Sequence, residues 1–347
     1  MSRINAKLQQ LIPKEANKSL THSVLLGVQS GDDRVQFRGA AGDASPESPY
    51  FIASITKMFT TTVVMQLVDE GRLNLDAPIQ KYLPHLDLER IHVHKGVDYS
   101  QDLKLYQLIH QTSGLADYFE DALVDDLKQN KDRAYDLDDV LGMVRQMSPT
   151  AMPGSGKSYY SDTNYQLLGA IIEAVTEAPL AEVFHSRIFE PLQLEETEVY
   201  DYTRWQNKTQ PLPFYHKAQR LNLPLALSSM GADGAIVSTL LDTLCFLRAY
   251  FAGGLFDSGH FERMMKWNAL FFPFEYGYGL MRVQLPRWMT LFRPTPELVG
   301  HSGASGSFAF YAPQKDLYIA GTFNQMDKRS RPLNFMLNVI NVVEKLN

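Results

Sequence analysis

A single cysteine, Cys245, stands in 347 residues, so no disulfide can form within the chain. It lies in the apolar run Leu240-Leu-Asp-Thr-Leu-Cys-Phe-Leu247, where a small buried residue is expected rather than a reactive thiol. Basic residues are outnumbered, 33 Lys and Arg against 39 Asp and Glu, giving a net charge of −6. That balance offers no cationic surface to a nucleic acid or an anionic membrane. No apolar run approaches the ~18 residues that cross a bilayer. The opening residues, Met1-Ser-Arg-Ile-Asn-Ala-Lys7, lack the uninterrupted hydrophobic stretch of a secretory leader. A cytoplasmic location is the resulting expectation. Repeats, low-complexity tracts and linker-like segments are also missing. What remains, 45% hydrophobic and 21% charged residues, is an ordinary globular composition. A chain of this length is expected to form two lobes.

Residues 4–12 read as a short helix, and Ser23–Val28 with Arg34–Arg38 as a hairpin around Ser30-Gly-Asp-Asp33. An amphipathic helix is expected from Ser54 to about Gly71, a residue suited to a helix stop. Helical patterns then dominate to about residue 265, including 136–147, 164–177 and 239–252. Strand patterns return at 276–284, 298–301, 306–312 and 317–323, and a last helix near 331–345. Strands at both chain ends with helices between them predict an α+β fold. One antiparallel sheet would be built from both termini, with a mostly helical lobe inserted. The expected division is 1–74 plus 266–347 for the sheet lobe and 75–265 for the helical lobe, with the active site between them.

Three triplets carry chemistry: Ser54-Ile-Thr-Lys57, Tyr160-Ser-Asp162 and His301-Ser-Gly303, separated by 106 and 141 residues. On a helix, residues three apart share a face, so Lys57 can reach Ser54. A serine hydroxyl needs a neighbour to take its proton before it can attack a carbonyl. A helix beginning at Ser54 also aims backbone N–H dipoles at developing negative charge. An isolated Ser-x-x-Lys is far more often an exposed pair on a surface helix, so the pattern gains weight only from its companions.

Those companions are extensive. Phe51-Ile-Ala-Ser-Ile-Thr-Lys-Met-Phe59, Leu67–Pro78, Leu108-Ile-His-Gln-Thr-Ser-Gly-Leu115, Pro153-Gly154, Tyr160–Gly169, Gly234–Thr239 and Tyr276-Gly-Tyr-Gly279 fall in one consistent order. The chain resembles the serine β-lactamase/penicillin-binding superfamily, in its class C β-lactamase, D-Ala-D-Ala carboxypeptidase and family VIII esterase branch. The resemblance runs over roughly residues 20 to 325 and implies a β-lactamase/transpeptidase-like fold. It also implies a covalent acyl-enzyme and no metal or other cofactor. Ser54 would be the nucleophile, and Lys57 and Tyr160 the proton-transfer pair, with the resting base left open between them. The Ser54 and Ala304 N–H groups would hold the oxyanion, while Asp162, His301, Ser302 and Gly303 border or support the substrate.

Two departures from that pattern bear on substrate. Asp162 stands where asparagine is usual, and a carboxylate accepts hydrogen bonds but cannot donate to a substrate amide. It is expected to pair with Lys57, to favour Tyr160 as base, and to cap the helix at 164–177. His301 stands where β-lactamases carry lysine, and a histidine is mostly neutral at pH 7. Both weaken the case for anionic β-lactams and favour a carboxylic ester or small amide. The alternatives are a β-lactamase or D-amino-acid-specific peptidase, and a non-hydrolytic scaffold on the same fold. Oligomeric state is not legible. Phe271–Tyr278 reads first as core packing and second as the wall of an acyl pocket. Gly154-Ser-Gly-Lys-Ser158 lacks the upstream glycine of a phosphate loop, with Ala151 in its place. His92-Val-His94 has no suitably spaced acidic or cysteine partner for a metal, and reads as a surface strand or loop.

Overall fold

Strand β1 (Ser23–Ser30) is buried without interruption from Ser23 to Val28 because both of its faces are covered. Successive side chains point to opposite faces. Val24, Leu26 and Val28 therefore join one hydrophobic cluster, with Leu8 and Ile12 of helix α1 (Arg3–Ala16) and with Phe335 and Val339 of the C-terminal helix. Leu25 belongs to the cluster on the other face. The computed structural model describes residues 3–286, 295–327 and 330–345.

The main sheet has eight strands, all neighbours antiparallel. After β1 and β2 (Gln36–Gly42) come β3 (Asn268–Ala269), β4 (Phe274–Tyr276), β5 (Met281–Val283), β6 (Leu298–Ser302), β7 (Ser307–Ala312) and β8 (Leu317–Thr322). Their spatial order is β3-β4-β5-β6-β7-β8-β1-β2, so the sheet is assembled from both chain ends as expected. One face carries α1 and the C-terminal helix. The other packs on α4 (Leu240–Phe251), whose Leu244 side chain lies against Gly27 in β1. Helices α2 (Thr56–Asp69) and α3 (Thr163–Thr176) pack against each other in the larger core, and α5 (Arg331–Glu344) closes the chain.

Three expectations are corrected. The strand expected at 276–284 is a hairpin, with Tyr276 opposite Met281, because the Tyr276-Gly-Tyr-Gly279 stretch turns the chain at two glycines. Helix α2 is not amphipathic, since 11 of its 14 residues are buried. Its threonines mimic a polar face, but they spend their hydroxyls on carbonyls: Thr60 on Ala232 O at 2.6 Å and Thr62 on Met58 O at 2.9 Å. Cys245 is half-buried, its Sγ 3.7 Å from Leu192 O.

The hairpin turn docks on α2. Gly279 has φ +64°, and a Cβ there would sit 2.1 Å from Thr61 Oγ1. Gly279→Ala combines left-handed strain with overpacking, and we expect it to lower stability by about 2–4 kcal/mol in urea denaturation.

Candidate active site

Ser54 sits in a 3-10 turn, Ala53–Ile55, that runs directly into α2. Ala53 before it holds φ +49°, a left-handed conformation that costs a non-glycine residue roughly 1–2 kcal/mol. The surroundings hold it in place. Ser305 Oγ donates to Phe51 O at 2.9 Å, Ser307 Oγ to Ile52 O at 2.7 Å, and Ile52 N to Ile236 O at 3.0 Å. Gly303 fits only as glycine, because a Cβ would lie 2.2 Å from Ser307 Oγ and 2.6 Å from Ile52 O. The end of β6 is thereby pressed against the Ser54 turn.

The Lys57 side chain is fully buried, and its ammonium donates to Ser54 Oγ at 3.3 Å and the Asp233 carbonyl at 2.7 Å. It also forms an ion pair with Asp162 Oδ1 at 2.5 Å. Burial pulls the Lys57 pKa down, but Asp162, Tyr160 and Asp233 together outweigh it, and the net direction is upward. The expected Lys57–Asp162 pairing is present. The expected cap is not: Asp162 occupies the N-cap position of α3 without a side-chain bond to the helix, its Oδ1 being engaged by Lys57.

Two more buried carboxyls, which the sequence reading missed, surround this pair. Asp233 Oδ2 accepts from Tyr118 Oη at 2.7 Å and Gln166 Nε2 at 3.0 Å. Burial and the nearby Asp162 charge push its pKa up to about 7. Asp117 Oδ1 accepts from the Phe119 and Asp162 N–H groups, each at 3.1 Å. Burial first, then Asp162, lift it well above the usual carboxylate range. Each had a faint signal: an acidic residue inside an otherwise small or apolar stretch, Gly231-Ala-Asp-Gly234 and Leu115-Ala-Asp117.

Lys57 Nζ lies 5.3 Å from the centre of the Tyr160 ring. Burial raises the Tyr160 phenol above its ordinary pKa, Lys57 pulls it down, and Asp162 pushes it up again. Asp162 therefore holds Lys57 protonated, as expected, and by its own charge disfavours the Tyr160 phenolate. The His301 ring is wholly buried, with Nε2 3.2 Å from Tyr276 Oη and Nδ1 2.7 Å from Ser302 O. Burial and the Lys57 charge hold its pKa down to about 3, so it is a neutral imidazole that does not reach the cleft.

A cavity of about 510 Å³ opens onto Ser54, Tyr160, Asp162, Ser302, Gly303 and Ala304. Among the described residues the Ala304 N–H has no acceptor. The walls are mainly apolar, including Phe51, Phe214, Leu227, Phe271, Phe274 and Phe323. Phe271 is 56% exposed and Phe272 65%, so the reading of this segment as core fails for them, while Tyr276 and Tyr278 are buried in the core as expected. A larger open groove of about 1500 Å³ lies beside α3 and holds none of the converging residues. His92 is buried with Nε2 3.0 Å from Ala151 O, and not at the surface as expected.

The architecture has known counterparts. A D-stereospecific amidohydrolase from a Streptomyces species superposes with a TM-score of 0.76 at 27% identity, over 92% of this chain and 94% of that one. A D-amino acid amidase from Ochrobactrum anthropi SV3 gives a TM-score of 0.82 at 21% identity over both full chains. In sequence, protein flp of Staphylococcus aureus strain MW2 is 32% identical over 182 residues, 52% of this chain. That stretch spans only 32% of the flp protein's length. The Beta-lactamase family model matches residues 9–340, nearly the whole chain, and the chain belongs to that family.

Proposed function

We propose that the protein is a serine hydrolase acting through a covalent acyl-enzyme on a carboxylic ester or small amide. The observation that carries this reading is the convergence of Ser54, Lys57 and Tyr160 at one apolar cavity. Ser54 Oγ attacks the carbonyl carbon and its proton passes to the Lys57/Tyr160 pair. The Ser54 and Ala304 N–H groups take the charge that develops on oxygen. The pair then protonates the departing alkoxide or amine. Water repeats the sequence in reverse, releasing the acid and restoring the Ser54 hydroxyl. Ser302 and Gly303 border the acyl group, while Asp162 and His301 act from behind the reacting atoms.

Charge around the cleft disfavours an anionic substrate, since the lining includes Glu120, Asp121 and Asp327 against one arginine. The Lys57 charge is cancelled by Asp162, and His301 is neutral. Arg331 lines the cavity, but its guanidinium is hydrogen-bonded to the Thr21 hydroxyl and the Ser19 carbonyl. A β-lactam carboxylate would meet this one lining cation set against the lining carboxyls Glu120, Asp121 and Asp327, and so falls short of a full charge-assisted bond, worth about 1.5–3 kcal/mol. We expect kcat/KM for nitrocefin to fall at least about 10- to 100-fold below that for p-nitrophenyl butyrate. Comparable values for the two would overturn the preference. Likeness to a D-stereospecific amidohydrolase favours, as a second reading, the amide of a D-amino acid. Hydrolysis of D- against L-phenylalanine amide distinguishes it.

A further inference from the structure

We propose that Asp162 sets the pH at which Ser54 becomes nucleophilic, by cancelling the Lys57 charge that would otherwise draw a proton from the Lys57/Tyr160 pair. The inference rests on the serine-hydrolase reading. It starts from geometry: Lys57 Nζ is 2.5 Å from Asp162 Oδ1, and both side chains are buried. Tyr160, with its ring centre 5.3 Å from the same nitrogen, meets a compensated ion pair and not a lone cation.

The other titratable groups packed around the pair do not restore the missing positive charge. Asp117 and Tyr118 approach from the loop after Gly114, Asp233 from the turn before Gly234, Tyr165 from α3, and Tyr276 and His301 from β4 and β6. Asp117 and Asp233 are driven toward the neutral acid, the tyrosines are held as phenols, and His301 is uncharged. What remains is one ammonium and one carboxylate, to which Asp233 adds negative and never positive charge as pH climbs through about 7.

For acylation the pair must already lack one proton, because the Ser54 proton has to be accepted as its oxygen bonds to the carbonyl carbon. The two groups titrate as a unit. Asparagine at 162 leaves the ammonium uncompensated. Either burial then expels its proton, or its unshielded field draws one from Tyr160. Both routes move the first ionisation of the pair to lower pH.

The test is the pH profile of kcat/KM for p-nitrophenyl butyrate in the wild type, Asp162→Asn and Asp162→Glu. Activity needs the deprotonated pair, so it climbs with pH and levels off above the pair's ionisation. The asparagine variant is expected to reach its plateau at least about one pH unit below the wild type. The glutamate variant, which keeps the charge, is expected to follow the wild type. A lower plateau with an unmoved limb means that Asp162 only holds structure, and overturns the proposal.

Carbon-13 NMR of labelled Tyr160 Cζ and Lys57 Cε reads the same ionisation without turnover. An unshifted titration in Asp162→Asn overturns the proposal. A lowered one with no ester hydrolysis in any variant upholds the electrostatic assignment and removes the hydrolase reading instead. Asp162→Ser, checked by circular dichroism, serves if the asparagine variant does not fold.

Discussion

Replacing Ser54 by alanine is expected to abolish turnover of p-nitrophenyl butyrate, lowering kcat by roughly 10⁴- to 10⁶-fold. The change deletes one oxygen that is partly exposed to the cleft and 3.3 Å from Lys57 Nζ. No packed atom is lost, so urea denaturation should place the variant close to the wild type. Lys57 keeps Asp162 and the Asp233 carbonyl as partners, and the remaining network should stand. Stopped-flow traces separate the outcomes. Steady turnover lost in the variant identifies Ser54 as the nucleophile on a true ester substrate. A stoichiometric burst that stalls identifies the nucleophile but points to amides as the natural substrate. Identical traces from the two proteins would remove the ester reading and bring forward a non-hydrolytic scaffold on the same fold.

How much of this was legible follows from where each signal lives in the chain. Strand alternation and turn residues are local, so the closing strands Leu298–Ser302, Ser307–Ala312 and Leu317–Thr322 lie within a residue or so of their expected places. The Ser54–Lys57 spacing is local too, and the helix after Ser54 carries it. Burial is not local. The threonines of α2 look solvent-facing in sequence and are wholly buried, because carbonyls of the 231–233 turn, more than 170 positions away, meet the helix. His301 was expected beside the substrate, yet packing of Tyr276 and Tyr160 around it closes it off. The carboxyls of Asp117 and Asp233 reach Lys57 from two separate segments. No pattern in either segment announces that they meet.

Lys57→Met is expected to cost about 3–5 kcal/mol of stability as well as all turnover, because it strands the Asp162 carboxylate in a buried site. Asp162 is 7% exposed, and the other two carboxyls nearby offer it no positive charge. The sign with pH is fixed by Lys57 itself, whose pKa is raised in the folded protein. Its contribution is complete below the free lysine value near 10.4 and fades only as pH climbs through the folded value. The deficit of the methionine variant should therefore be present throughout the neutral range. Adding Asp162→Asn to Lys57→Met removes the stranded charge, and most of the lost stability should return. Activity should not return, since Tyr160 is left without the Lys57 charge that pulls its pKa down toward a usable base. Urea midpoints for the wild type, both single variants and the double variant measure this directly. Additive losses in the double variant would show that the two side chains do not interact across 2.5 Å as an ion pair, and both the pH-setting role of Asp162 and the electrostatics proposed for the site would fall with it.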